Sequence, residues 1–280
     1  MIGTTVNNIK RSITHRTHGY KQGFITRLMS PGDFGNLVKP FVFLDYFETS
    51  SFYGRGLRAH PHSGIATHTT LIEGSLYYED STGKSGVLKS GDLEWMQAGN
   101  AVWHGGEPIE GKGMRGYQLW ISLPQELELA PSESHYINSE FVEGDDKIKL
   151  LLGSYGKLRS SIKLPVSITY LYVKLRDGES WTYHPSFDHE TAWVAVNRGK
   201  IKTSEIELEN EMAIFSEGNS SIEFLAYGDT EFVIGSGAKH PYPLVTGYYS
   251  VHTSREALIK GESNIEKLGN TPEVMAMRRK

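Results

Sequence analysis

The chain has 280 residues, no cysteine, a formal net charge of -4 and 22% charged side chains. Without thiols it can form no disulfide, thiolate metal site or cysteine nucleophile, and its slightly acidic balance gives no global field for nucleic acid. No apolar run approaches the roughly 18 residues of a membrane span, and the opening MIGTTVNNIKRSITHRTHGY lacks the apolar core of a secretory leader, so a cytoplasmic globular protein is expected, with neither membrane nor nucleic acid as partner.

Glycine (30 residues), Tyr (15) and Phe (11) are abundant. That mixture fits many short strands joined by tight turns. In chain order, the chemistry starts at His60-Pro61-His62. Residues i and i+2 of a strand share a face, so two imidazoles on one wall can share Fe, Cu, Ni or Zn. Alone, such a pair is a weak signal. It gains weight from a second segment, 99–108 (GNAVWHGGEP), which follows the strand and turn of 91–99 (GDLEWMQAG). That segment offers His104 and the carboxylate of Glu107 from a neighbouring strand. Residues 124–147 are polar, with Pro124 and Pro131, and read as a connector. Strands are expected at 170–175, 191–196, 200–208, 221–227 and 230–234, separated by turns at Asp177-Gly178, Arg198-Gly199, Glu217-Gly218-Asn219 and Gly228-Asp229. This spacing indicates a sandwich or barrel. Helical signals wait until Thr253-Ser-Arg-Glu256, which resembles a capping box and predicts a short C-terminal helix. Residues 91–100 line up with 210–219, each a turn, an apolar strand and a glycine turn, so two β-units in tandem are expected.

Five blocks carry a family resemblance: PFVFLDYF (40–47), HPHSGIATHTTLIEG (60–74), SGDLEWMQAGNAVWHGGEP (90–108), RGYQLWISLP (115–124) and HPYPLVTGYYSVHTSREAL (240–258). Together they resemble the pirin family of the cupin superfamily, in family order and over nearly the whole chain. The resemblance implies an all-β fold of two tandem cupin barrels (double-stranded β-helix or jelly roll) with a short C-terminal helix. It implies a metal-binding N-terminal cupin at 1–125, a connector at 126–145, a degenerate C-terminal cupin at 146–245 and a segment at 246–280 that packs back on the barrels.

The resemblance also implies one mononuclear divalent metal in the N-terminal barrel, iron(II) in first place with Zn, Ni, Mn or Cu as alternatives. Its ligands would be His60, His62, His104 and Glu107. The family's spacing is His-x-Glu, which falls on Gly106 here, whereas Glu107 stands one position later. A one-residue step on a strand reverses the face, unless the glycines form a bulge. Glu107 is therefore open to direct ligation, contact through water, or neither. Ala66 stands where the family carries a glutamate, and His68 follows as a cavity or structural residue. The second unit has no equivalent set: His184 and His189 form no HxH pair. Trp95, Met96, Trp103 and Trp120 are read first as barrel packing. The implied activity is a dioxygenase that opens quercetin-like flavonols between C2 and C3, with Glu107 as ligand or proton acceptor and a small aromatic substrate as partner. The alternative is a non-catalytic, metal-dependent regulatory protein that binds a transcription factor or metabolic enzyme.

Overall fold

The computed structural model describes residues 10–53 and 57–280. In chain order the strands are β1 (Ile13–Thr17), β2 (Tyr20–Gln22), β3 (Ile25–Met29), β4 (Phe41–Thr49), β5 (Leu57–His62), β6 (Ile65–Glu73), β7 (Ser75–Asp80), β8 (Ser85–Lys89), β9 (Leu93–Gln97), β10 (Val102–Pro108), β11 (Met114–Ser122) and β12 (Glu133–Ile137). Then come β13 (Ile148–Tyr155), β14 (Leu158–Arg159), β15 (Ile168–Leu175), β16 (Ser180–Tyr183), β17 (Thr191–Thr203), β18 (Ile206–Glu209), β19 (Met212–Phe215), β20 (Ile222–Gly237), β21 (Val245–Thr246) and β22 (Val251–His252). Two helices close the chain, α1 (Arg255–Gly269) and α2 (Pro272–Met277).

The first barrel sets a seven-stranded sheet, β12-β9-β6-β11-β4-β3-β2, against a four-stranded one, β5-β10-β7-β8. Side chains alternate across the larger sheet, because neighbours on a strand point to opposite faces. On β11, Tyr117, Leu119 and Ile121 join a core with Leu152, Tyr170 and Trp193 of the second barrel. Gln118 and Trp120 face the other way, into the first barrel's cavity. The joint between the barrels is thus a sheet-on-sheet core. Arg115 ties it at one side, bonded to Glu73 and to Glu231 at 2.5 Å each.

The second barrel is a nine-stranded sheet, β1-β19-β17-β20-β15-β13-β14, with β16 on β20 and β18 on β17. Two expected turns are absent. Residues 191–196 and 200–203 form one strand, β17, and 222–227 and 230–234 form one strand, β20. Gly199 and Gly228 carry positive φ, but β17 passes its glycine by register shifts at Val196/Arg198 and Arg198/Lys200. Bulges of this kind bend a strand without ending its pairing. Each long strand therefore serves two layers: β17 pairs with β19 at one end and β18 at the other.

Two segments leave their sequence neighbours. β1, from the stretch read as part of the first module, pairs antiparallel with β19 of the second. The expected connector contains β12, which extends the first barrel's large sheet beside β9. At the C-terminus Ser254 caps α1 by accepting from the Ala257 N–H. The helices lie on the first barrel, where Trp103 packs against Val274 and Met277 and donates from Nε1 to the Ile265 carbonyl at 3.1 Å. Among the described residues no helix is long and apolar enough to cross a membrane.

Candidate metal centre

The edge strand β5 carries His60 and His62, and Pro61 between them is tolerated because an edge strand can lack one N–H. β5 runs antiparallel to β10, with His62 opposite Val102 and His60 opposite His104. Cross-strand partners share a face, so the i, i+2 pair and its partner project to one side. The ring centroids lie 4.5 Å (His60–His104), 5.0 Å (His60–His62) and 5.1 Å (His62–His104) apart. One nitrogen from each ring falls within 4.8 Å of the others.

Hydrogen bonds select which nitrogen that is. His60 Nδ1 lies 2.9 Å from the Arg58 carbonyl, and His62 Nδ1 lies 3.0 Å from the Tyr249 carbonyl. A carbonyl only accepts, so both Nδ1 atoms carry the proton and both Nε2 atoms offer lone pairs. His104 Nδ1 faces Glu94 Oε1 at 3.4 Å, and its buried Nε2 has no partner. Burial pushes His60 down to about 4, helped by His104 nearby. Burial and the same neighbours put His62 well below its ordinary value. Neutral imidazoles with free Nε2 atoms are the donors a borderline divalent metal takes, and the orphaned Nε2 of His104 marks where one fits.

The structure does not bring Glu107 to this group. A register shift between His104 and Gly106 turns the cavity side over to Gly105 and Gly106. Glu107 pairs with Tyr77 and is exposed. The carboxylate at the histidines is Glu94, on β9 of the facing sheet and 6% exposed. Its Oε2 accepts from the Thr69 hydroxyl. Burial alone would raise the Glu94 carboxyl; the hydrogen bond and charge of His104, with the Thr69 bond, outweigh it and hold it below its usual value. The sequence alone does not mark it: a glutamate between Leu93 and Trp95 has the parity of an outward-facing residue, and only the enclosing barrel buries it and supplies the partner a buried carboxylate needs.

The cavity beside the histidines measures about 810 Å³. Phe43 and Trp120 stack on its wall with centroids 3.9 Å apart, and Tyr78 and Tyr136 stack at 3.6 Å. Tyr248 and Tyr249, between β21 and β22, close one side. This C-terminal contribution, including the carbonyl that orients His62, has no local motif. Of the aromatic residues read as packing, Trp95 fills the joint between barrels and Trp103 seats the helices, while Trp120 lines the cavity. Met96 packs with Ala98 and Val102.

His68 lies on the opposite face of β6. It is fully buried, bonded to Thr70 Oγ1 at 2.9 Å, and edge-on to Tyr170 at 5.7 Å. His189 is buried between Ser167 and Ser236 hydroxyls at 3.2 and 2.8 Å, and His184 is exposed. Among the described residues the second barrel holds no group with metal-ligand spacing.

The sequence model described as Pirin matches residues 25–121. A pirin-like protein of Caulobacter vibrioides is 27% identical over 256 residues, covering 87% of this chain and 91% of its own length. A Pseudomonas aeruginosa protein named "Putative quercetin 2,3-dioxygenase" is 26% identical over 266 residues, covering 89% and 93%. Among solved structures, quercetin 2,3-dioxygenase from Acinetobacter baumannii superposes with a TM-score of 0.84 at 22% identity, covering 95% of this chain and all of that one. The bacterial pirin YhhW of Escherichia coli in complex with nickel(II) gives 0.64 at 17% identity, covering 82% and 98%. The matched segment holds both histidine strands and Glu94, the pirin-like relatives extend over most of the chain, and the superposition takes in both barrels: the chain shares the two-barrel fold of these neighbours and is similar in sequence to pirin-like proteins.

Proposed function

We propose that the protein is a metal-dependent dioxygenase acting on flavonol-like substrates, with His60, His62 and His104 holding one divalent metal through Nε2. The observation that carries this reading is three imidazoles converging at the wall of a cavity lined by stacked aromatic rings. Iron(II) is the first choice of metal, because imidazole ligation with open positions suits it. The name of the Pseudomonas relative supports the substrate class. When bound, the metal supplies open positions for substrate oxygens and dioxygen and a path for electrons between them.

The chain's own residues do the rest. Trp120 and Phe43 offer a flat platform for an aromatic ring. The carbonyls of Arg58 and Tyr249 fix His60 and His62, and Glu94 orients His104. Glu94 also lines the cavity, with its two oxygens engaged by His104 and Thr69. Tyr248, Tyr249 and the apolar wall exclude water from the bound ring. The test is metal analysis of the purified protein, then anaerobic addition of quercetin, then oxygen. One dioxygen consumed per flavonol, with loss of the flavonol absorbance, is expected. Full metal content with no oxygen uptake would overturn the dioxygenase reading.

A further inference from the structure

We infer that a polar strip across the cavity floor reads the hydroxyl groups of the substrate remote from the metal, and that Gln118 at its centre determines this specificity. The inference rests on the flavonol reading above. Four residues lie side by side on four strands of the large sheet. Glu94 on β9 pairs with Thr69 on β6, Thr69 with Gln118 on β11, and Gln118 with Asp45 on β4. All four line the cavity. Adjacent strands lie about 4.8 Å apart, so the strip spans roughly 14 Å from Glu94 to Asp45, the length of a flavonol-sized ring system. It starts beside the metal-site histidine His104. Phe43 and Trp120 flank it on one side, Phe47 and Met114 on the other. A flat ring lying on these apolar rows would have its edge oxygens over the polar ones.

Most of the strip's hydrogen-bonding capacity is committed. Both Asp45 oxygens accept from Arg27. Glu94 faces His104 and accepts the hydrogen bond of the Thr69 hydroxyl. Gln118 is the exception: Nε2 has no partner, and Oε1 lies 3.4 Å from a Thr69 oxygen whose proton goes elsewhere. An uncommitted amide on a cavity wall costs free energy that a ligand can recover. A half-turn of the amide exchanges donor for acceptor, and a phenolic hydroxyl satisfies either. Selection by such a group is strong, because a ligand without the hydroxyl leaves the amide unpaired.

The experiment compares quercetin with 3-hydroxyflavone, which keeps the metal-facing hydroxy-ketone and lacks the other hydroxyls. Binding is measured anaerobically by calorimetry on the iron-loaded protein and on Gln118→Leu. Quercetin is expected to bind the wild type about tenfold tighter. In Gln118→Leu that ratio should fall to within about twofold, with 3-hydroxyflavone affinity and iron content retained. If Gln118→Leu loses iron, the unbranched Gln118→Met replaces it. Equal affinity of the two flavonols for the wild type, or an undiminished ratio in the variant, overturns the strip. No binding of either flavonol overturns both the strip and the flavonol reading. A ratio that depends on Gln118, without oxygen uptake, upholds the strip while the dioxygenase reading falls.

Discussion

A carboxylate buried to the extent of Glu94 is stable only with a committed partner, and its partners are His104 and Thr69. It approaches His104 from the Nδ1 side, which leaves the buried, unpartnered Nε2 as the free donor. That places Glu94 as a positioning residue, which fixes the tautomer and the ring angle. Glu94→Gln keeps an acceptor oxygen and should hold metal affinity within a few-fold, whereas Glu94→Ala should lose on the order of 10- to 100-fold in chelator competition. Equal losses in the two variants would instead mark Glu94 as a direct ligand. Glu107→Gln, altering an exposed group, should leave affinity unchanged. Gly106 faces the cavity, and a Cβ there would meet nothing nearer than 3.6 Å. Gly106→Glu should therefore fold and tighten the metal about tenfold by adding a carboxylate; unchanged competition curves would show that its side chain does not reach the histidines.

At the scale of elements, parity arguments held within strands and failed between them. His60 and His62 share a face because β5 is regular, and His104 meets them because β10 pairs in register up to that residue. Beyond His104 the bulge cancels the count, so spacing alone leaves the side of Glu107 open. Parity alone would set His68 on the face of His62, but the chain turns at Ser63-Gly64, where Gly64 has φ +75°, and β6 restarts on the other sheet. The two barrels were legible from glycine turns and apolar runs. The long bent strands β17 and β20 were not, because a glycine bulge and a glycine turn look alike in sequence. Nor was the role of the C-terminal segment, since its help to the site comes through a backbone carbonyl. That role gives α1 an expected effect on the metal. A Cβ on Gly261 would lie 2.5 Å from both His252 Nε2 and Ser63 Oγ, in the buried contact that joins the segment to the barrel. Gly261→Ala should push the helix outward at about 1–3 kcal/mol and loosen the Tyr249 carbonyl from His62. A several-fold loss of metal affinity is expected to accompany the lower Tm; a lower Tm at unchanged affinity would uncouple the segment from the site.

For the whole molecule, the joint between the barrels is the largest continuous core among the described residues, and a buried histidine, His68, lies edge-on to its Tyr170. Burial pushes His68 down to about 4 from an ordinary value of 6.5. In the unfolded chain His68 takes up its proton as pH falls through about 6.5, whereas the folded protein resists until about 4. Above pH 6.5 both states are neutral there and His68 adds no pH dependence. Between 6.5 and 4 the unfolded state binds more protons, so stability falls with pH, by about 2 kcal/mol from this group between pH 7 and pH 5. His60 is shifted in the same direction, so the metal-free protein should lose more than His68 alone accounts for. The variant His68→Gln isolates the contribution: its amide can still bond Thr70 but cannot titrate. In urea unfolding of metal-free protein, His68→Gln should be less stable at pH 7, having lost a fitted ring. Its further loss between pH 7 and pH 5 should be smaller than the wild type's by about 2 kcal/mol. Parallel losses in the two proteins would mean that the joint opens to water before His68 is protonated, and that the barrels separate in acid before either one unfolds.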